Sequence, residues 1–201
     1  NKKPLTTNKG ELVSTRNKNV ASKLYKEFKK YDSTQSLYKS DLIKLLFYSY
    51  ELNRKVVLKY LVEYLDTDTL CYRAEKATEL ELIQDKLWNP LLEYFFNKYN
   101  IKINIIPGIM PIKQSLEVKN KFTNILLELS SASLCSFYFI TNITNSVIIA
   151  LNILEGKLSI KNGLKLSLLE QNYNIEKWGK VKEANTYFNQ KFIFLKNIMN
   201  F

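Results

Sequence analysis

The sequence predicts an α+β protein in which a small β-containing N-terminal lobe precedes a larger, mainly helical C-terminal lobe. Three observations predict it. Apolar residues recur at helical spacing through most of the chain, segments 66–73 and 101–106 have the composition or alternation of strands, and the first fourteen residues read as two short strands about Asn8-Lys9-Gly10. The division this implies is a β/α lobe over residues 1–65 and a mainly helical lobe with two strands over residues 66–201. With 201 residues, of which 46% are hydrophobic and 24% charged, the chain can bury a sizeable core.

The elements follow in order. Leu5, Leu12 and Val13 flank the first turn. Asn19 is placed to cap a helix in which Val20, Ala21, Leu24, Tyr25, Phe28 and Tyr31 share a face. After a polar, turn-like stretch at 32–38, residues 41–65 read as two helices with a break near Asn53. Residues 67–73 are rich in β-formers, and Ile101-Lys102-Ile103-Asn104-Ile105 alternates strictly until Pro107-Gly108. Between them Thr78 and Glu81 have the spacing of a capping box, and Leu80, Ile83, Leu87 and Leu91 follow at helical intervals. Asn89-Pro90 reads either as a kink in that helix or as the start of a new one. Further helices are expected over 113–129, 144–155, 159–178 and 181–199. In the third of these, Leu164, Leu168, Gln171, Ile175 and Trp178 form one stripe. Residues 134–154 are apolar, but Ser136, Thr141, Asn142, Thr144, Asn145, Ser146 and Asn152 make them soluble core rather than a membrane span.

Composition narrows the chemistry. The chain has no histidine, which removes the commonest general base, the imidazole triads and most catalytic zinc sites. Its five glycines are too dispersed for a dinucleotide fingerprint or a phosphate loop. Asp66 with Asp68, and Glu79 with Glu81, are formal acid and base pairs, yet they stand where short acidic side chains satisfy turn amides or open a helix. No enzymatic role and no cofactor or metal is therefore expected. Cys71 and Cys135 have no metal-ligand spacing and read as buried free thiols. The net charge of +11 is spread along the chain, as compositional bias toward Lys, Asn, Ile and Tyr would spread it. Arg73 has Asp66 and Glu75 as nearby partners, and Trp88 and Trp178 have the profile of core anchors at helix ends.

One ordered series of residues carries more information than any of these. It runs from Asp66-Thr67-Asp68-Thr69-Leu70-Cys71-Tyr72-Arg73 through Gln84, Trp88-Asn89-Pro90-Leu91-Leu92 and Gly108-Ile109. It continues through residues 146–154, Leu168-Leu169-Glu170, Gln171, Ile175, Trp178-Gly179 and Glu183. In order and spacing, from about Pro4 to Phe188, the series resembles the chaperones that assemble the F(1) sector of ATP synthase by binding its alpha subunit, found in mitochondria and alphaproteobacteria. The chain departs from that family at Ala184, Asn185 and Thr186, where the family has acidic and histidine residues. It also lacks a Met-Pro-Leu segment near 36–46 and is expected to be truncated or divergent at an additional N-terminal strand.

The resemblance implies a non-enzymatic chaperone that holds the unassembled alpha subunit, in the mitochondrial matrix or in the cytoplasm of an alphaproteobacterium. Client contact is implied for Glu170, Trp178 and Glu183. Arg73, Trp88, Pro90, Gly108 and Gly179 are implied to hold the scaffold. The alternative is a family fold recruited as a structural, basic subunit of a large organellar complex, in contact with RNA as in a ribosome.

Overall fold

The computed structural model describes residues 4, 6, 10, 12–14, 18–31, 40–179 and 184–199. The described residues are mostly helical, with one small two-stranded sheet among them. Helices α1 (Lys18–Lys29) and α2 (Asp41–Glu51) build a small apolar cluster of Leu24, Leu42, Ile43 and Leu46, against which Val13, Phe28 and Tyr31 pack. Of the expected opening strands, the described residues keep one antiparallel bridge between Thr6 and Leu12, with Gly10 at positive φ between them. Asn53 accepts from the Val56 amide and starts α3 (Arg54–Glu63), so the break falls where the sequence places it.

The segment expected as a strand over 66–73 is mostly something else. Short 3₁₀ turns occupy Tyr64–Asp66 and Thr69–Cys71, and only Tyr72–Arg73 forms strand β1. The Asp68 carboxylate accepts from the Leu70 amide, and the Asp68 carbonyl accepts from the Cys71 amide. These local bonds offer the backbone a partner that a ladder would otherwise supply. Strand β1 pairs in parallel with β2 (Ile106–Pro107), with Tyr72 opposite Ile106. Residues 101–105, expected as strand, alternate in burial only as far as Asn104, Ile105 being exposed, and have no partner strand among the described residues. The Gln114 side chain takes that place, accepting from the Asn104 amide and donating to the Asn104 carbonyl.

Helix α4 (Glu79–Tyr99) starts at Thr78, which accepts from the Glu81 amide, and runs unbroken through Pro90. Asn89 does not open a new helix; its Oδ1 accepts from Arg73. Next come α5 (Leu116–Glu128), α6 (Ser131–Thr144) and α7 (Val147–Leu154). The sequence expectation of one helix over 144–155 missed α6, and it missed the hinge at Asn145, whose φ of 52° ends α6 in a left-handed turn. Helix α7 is buried on nearly every side, so it is apolar all round rather than amphipathic. No helix among the described residues is long and apolar enough to cross a membrane.

The expected helix over 159–178 is two: α8 (Ile160–Ser167) and α9 (Leu169–Trp178), broken at Leu168. Helix α10 (Ala184–Met199) closes the fold with Leu195 and Ile198 fully buried. Gly163 of α8 sits against Ile153 and Ile149 of α7, where its missing Cβ allows the two helices to touch. The main core gathers Leu61, Leu65, Trp88, Phe95, Phe122, Phe137 and most of α7.

Candidate functional site

At the centre of the motif series Arg73 and Trp88 meet. The indole is fully buried and donates to the Leu166 carbonyl at 3.0 Å, while the Arg73 guanidinium lies 4.8 Å from the ring centroid. Arg73 pairs neither with Asp66 nor with Glu75. It donates to the Leu70 carbonyl and to Asn89, and its Nε lies 3.4 Å from Asp85. Burial lowers the Arg73 pKa from its ordinary value, and Asp85 opposes that shift. One strand and two helices, β1, α4 and α8, are thereby tied at a point that is almost dry.

Asp68 does for α7 what Arg73 does for α4. Its carboxylate is wholly buried and accepts from Ser146 Oγ at 3.0 Å and from the Ile148 amide at 3.2 Å, at the positive end of the helix. Burial pushes its pKa up to about 6, against the pull of those donors. Asp66 is separate: its Oδ1 accepts from the Gln114 amide, and Oδ2 lies 2.6 Å from Lys119 Nζ. The two carboxylates have different partners and form no acid and base pair. Glu79 and Glu81 likewise diverge, the first to Tyr173 and Lys177 of α9 and the second back to the Ala77 amide. Burial raises the Cys71 thiol pKa far above its ordinary value and that of Cys135 to about 12, so both stay protonated.

The open surface lies on the other side of α4. A groove of about 810 Å³ runs between α4, α8 and α9. Leu87, Pro90, Leu91, Leu166, Leu169 and Ile175 line it with apolar atoms, and Lys86, Lys165 and Glu176 stand among its polar residues. Pro90 has no N–H for the Lys86 carbonyl four residues back, which leaves that acceptor without its intrahelical partner. Both residues line the groove.

The apolar stripe read from the sequence starts in the core and runs out of it. Leu164 and Leu168 are buried, Ile175 is half-buried, and Trp178 is 87% exposed, which corrects the expectation that it anchors the core. Trp178 stands one turn beyond Ile175, so it extends the same helical face past the groove. Helix α9 has no buried residue; Leu169 packs against the main core, and polar contacts join the helix to α4. Glu170 accepts from Gln84 at 2.7 Å, Tyr173 donates to Glu79 at 3.1 Å, and Lys177 lies 2.7 Å from Glu79. The Glu79 pKa is held low by Lys177 and Tyr173, and that of Lys177 is raised by Glu79.

Glu170 and Trp178 therefore share one exposed helix. Glu183 lies outside the described residues. Gly179 ends α9 at φ 106°, and Gly108 ends β2 at φ 80°, both in a region that suits glycine. The residues that sequence reasoning missed are Leu166, Leu169 and Pro90 as groove lining; the break at Leu168 that exposes them has no proline or glycine to announce it.

A mostly helical protein that leaves an apolar groove and a tryptophan open presents surface of the kind that partners bind. Comparison with known proteins narrows that class. The sequence model of the ATP12 chaperone protein family matches residues 1–96. The mitochondrial protein atp12 of Schizosaccharomyces pombe is 30% identical over 143 residues, 68% of this chain and 49% of that protein. The chain thus spans about half the length of this curated relative. Among solved structures, Atp12 from Paracoccus denitrificans superposes with a TM-score of 0.88 at 20% identity, covering 99% of this chain and 87% of that one. A single-residue mutant of the same bacterial protein gives a TM-score of 0.87 at 20% identity, over 98% and 86%. The chain is related to the ATP12 chaperone family, the family its motif series resembles. None of these relatives is named as a structural subunit of an RNA-bearing assembly, and that alternative has no support.

Proposed function

We propose that the chain is a non-enzymatic assembly chaperone that holds the unassembled alpha subunit of the F-type ATP synthase catalytic head, in the mitochondrial matrix or in an alphaproteobacterial cytoplasm. The observation that carries the reading is α9: a helix with no buried residue that brings an 87% exposed tryptophan to the end of an apolar groove. An isolated subunit exposes the apolar surface its neighbours later cover, and reversible burial of that surface prevents off-pathway association. Aromatic side chains on an otherwise polar element are the usual anchors of such contacts. Glu170, Trp178 and Glu183 are the positions we assign to client contact. Leu169 anchors the start of α9 on the main core, while the exposed pairs of Glu79 with Tyr173 and Lys177 at its far end contribute little, so the end that carries Trp178 can adjust to its client.

The test is binding of purified alpha subunit together with suppression of its aggregation, followed by light scattering. Trp178→Ala is expected to weaken binding at least about tenfold, because a central aromatic anchor contributes about 2 kcal/mol or more. It should leave the melting temperature unchanged, since the side chain makes little contact with the fold. Charge reversal at Glu170 or Glu183 should reduce recovery of the subunit in a pull-down. Failure of the unaltered protein to bind alpha subunit would refute the assignment.

A further inference from the structure

Among the described residues, strand β2 and the residues before it are bonded along one edge and have no partner along the other. On the inner edge, the Gly108 amide donates to the Arg73 carbonyl, Ile106 pairs with Tyr72, and Asn104 gives both its amide and its carbonyl to Gln114. In an extended chain, successive residues direct their backbone groups to opposite sides. Ile103 and Ile105 therefore turn their N–H and C=O outward, and no described residue bonds to either. Pro107 has no N–H and ends the edge.

Beside these residues lies a second pocket of about 350 Å³, lined by Leu92 and Phe96 of α4 together with Ile103 and Ile105. Phe96 is 45% exposed and Ile105 42%, so apolar surface remains open next to unpaired backbone. Glu93 and Lys102, of opposite charge, also line it. Natural proteins usually blunt such an edge with charge, proline or a covering element.

We propose that the outer edge of residues 103–107 is a second protein-binding site, one that takes an extended polypeptide segment as an added strand. Backbone donors and acceptors at every second residue fit a strand and no other secondary structure, because a docked helix has no main-chain groups to spare for them. The occupant alternates apolar and polar residues and carries one charge of each sign, an apolar side chain entering between Phe96 and Ile105. This site lies on a different part of α4 from the groove and does not depend on the identity of the client bound there.

The probe is a nine-residue peptide alternating valine and threonine, with lysine at one end and glutamate at the other, added to ¹⁵N-labelled protein. Amide exchange at Ile103 and Ile105 is expected to slow at least about tenfold on saturation, with shifts confined to 101–107 and the facing turn of α4. Phe96→Ala should weaken the peptide by about tenfold, Ile105→Pro should abolish binding by removing the central donor, and Trp178→Ala should leave it unchanged. Unaltered exchange at Ile103 and Ile105 with millimolar peptide overturns the proposal. So does equal protection by a helix-forming peptide of the same length. Alpha-subunit binding, measured in parallel, separates the two readings: its loss removes the chaperone assignment and leaves the edge site standing, and the converse also holds.

Discussion

Gly163 is the position where a single methyl group tests the packing of the fold most directly. A Cβ built there would lie 2.4 Å from Ile153 Cδ1 and 3.0 Å from Cγ1, with Ile149 Cγ2 at 3.4 Å. Carbon atoms settle about 3.5–4.0 Å apart, so the end of Ile153 has to retreat by more than about 1 Å. Ile153 is 1% exposed and α7 is enclosed by other helices, so its side-chain end has to retreat among buried neighbours. Overpacking of this kind costs about 1–3 kcal/mol, while exchanging glycine for alanine inside a helix returns about 1 kcal/mol. The net expectation for Gly163→Ala is a loss of about 1 kcal/mol, or about 2–4 °C in melting temperature for a protein of this size.

The direct assay is a double-mutant cycle. Ile153→Val removes the atom at 2.4 Å and alone costs about 1 kcal/mol. Combined with Gly163→Ala it should cost little more than it does by itself, giving a favourable coupling of about 1 kcal/mol in urea unfolding. Strict additivity of the two substitutions, or a Gly163→Ala protein more stable than the parent, would refute the close approach of α7 and α8. Client binding should follow stability alone in this series, since neither residue lines the groove.

Two further predictions rest on buried polar groups. Burial raises the folded-state pKa of Asp68 to about 6, above the ordinary carboxylate value near 4, so the folded state binds the proton more tightly. The stability this contributes is complete below about pH 4 and is lost as pH rises through about 6; two units correspond to about 3 kcal/mol. Against Asp68→Asn, which does not titrate, the parent should gain on the order of 3 kcal/mol between pH 7 and pH 4 in urea midpoints, and parallel profiles would count against it. Arg54 Nη2 donates to the carbonyls of Leu126, Leu127 and Leu129, where α5 ends. Arg54→Met should cost about 1–2 kcal/mol in thermal unfolding, with Arg54→Lys recovering part of it; an unchanged melting temperature for Arg54→Met would show that the contact is not formed in solution.

Periodicity made most of the helices legible in advance, because a stripe that faces the core must repeat at 3.6 residues. The capping box at Thr78 and Glu81 and the cap at Asn53 were readable for the same reason: they are local. What stayed hidden was decided at long range. Residues 66–73 have strand composition, yet Asp68 is held by Ser146 and Ile148 of a distant helix, and the Thr69 amide donates to the Asn145 carbonyl. Residues 131–144 escaped assignment because α6 and α7 are apolar on several faces and show little helical contrast. In the candidate site, Glu170 and Trp178 were named on resemblance to a family, whereas the groove itself exists only once α8 and α9 part at Leu168. The partner of Arg73 was misread because Asp85 and Asn89 approach it from one face of α4, not from its own strand.

The net charge of the chain bears on how such a surface can stay exposed. An open tryptophan and an apolar groove invite self-association, and an uncharged protein carrying them would tend to aggregate. Here Lys86, Lys165 and Glu176 line the groove, Lys177 is paired with Glu79, and the whole chain carries a net charge of +11. Two copies of a chain with this net charge repel before their apolar surfaces meet, and the repulsion is long-ranged at low ionic strength. A partner with acidic groups around its apolar surface meets no such barrier. The basic excess that composition alone could attribute to codon usage thus acts through the charge of the whole chain and not at α9, whose own charged residues are Glu170, Glu176 and Lys177.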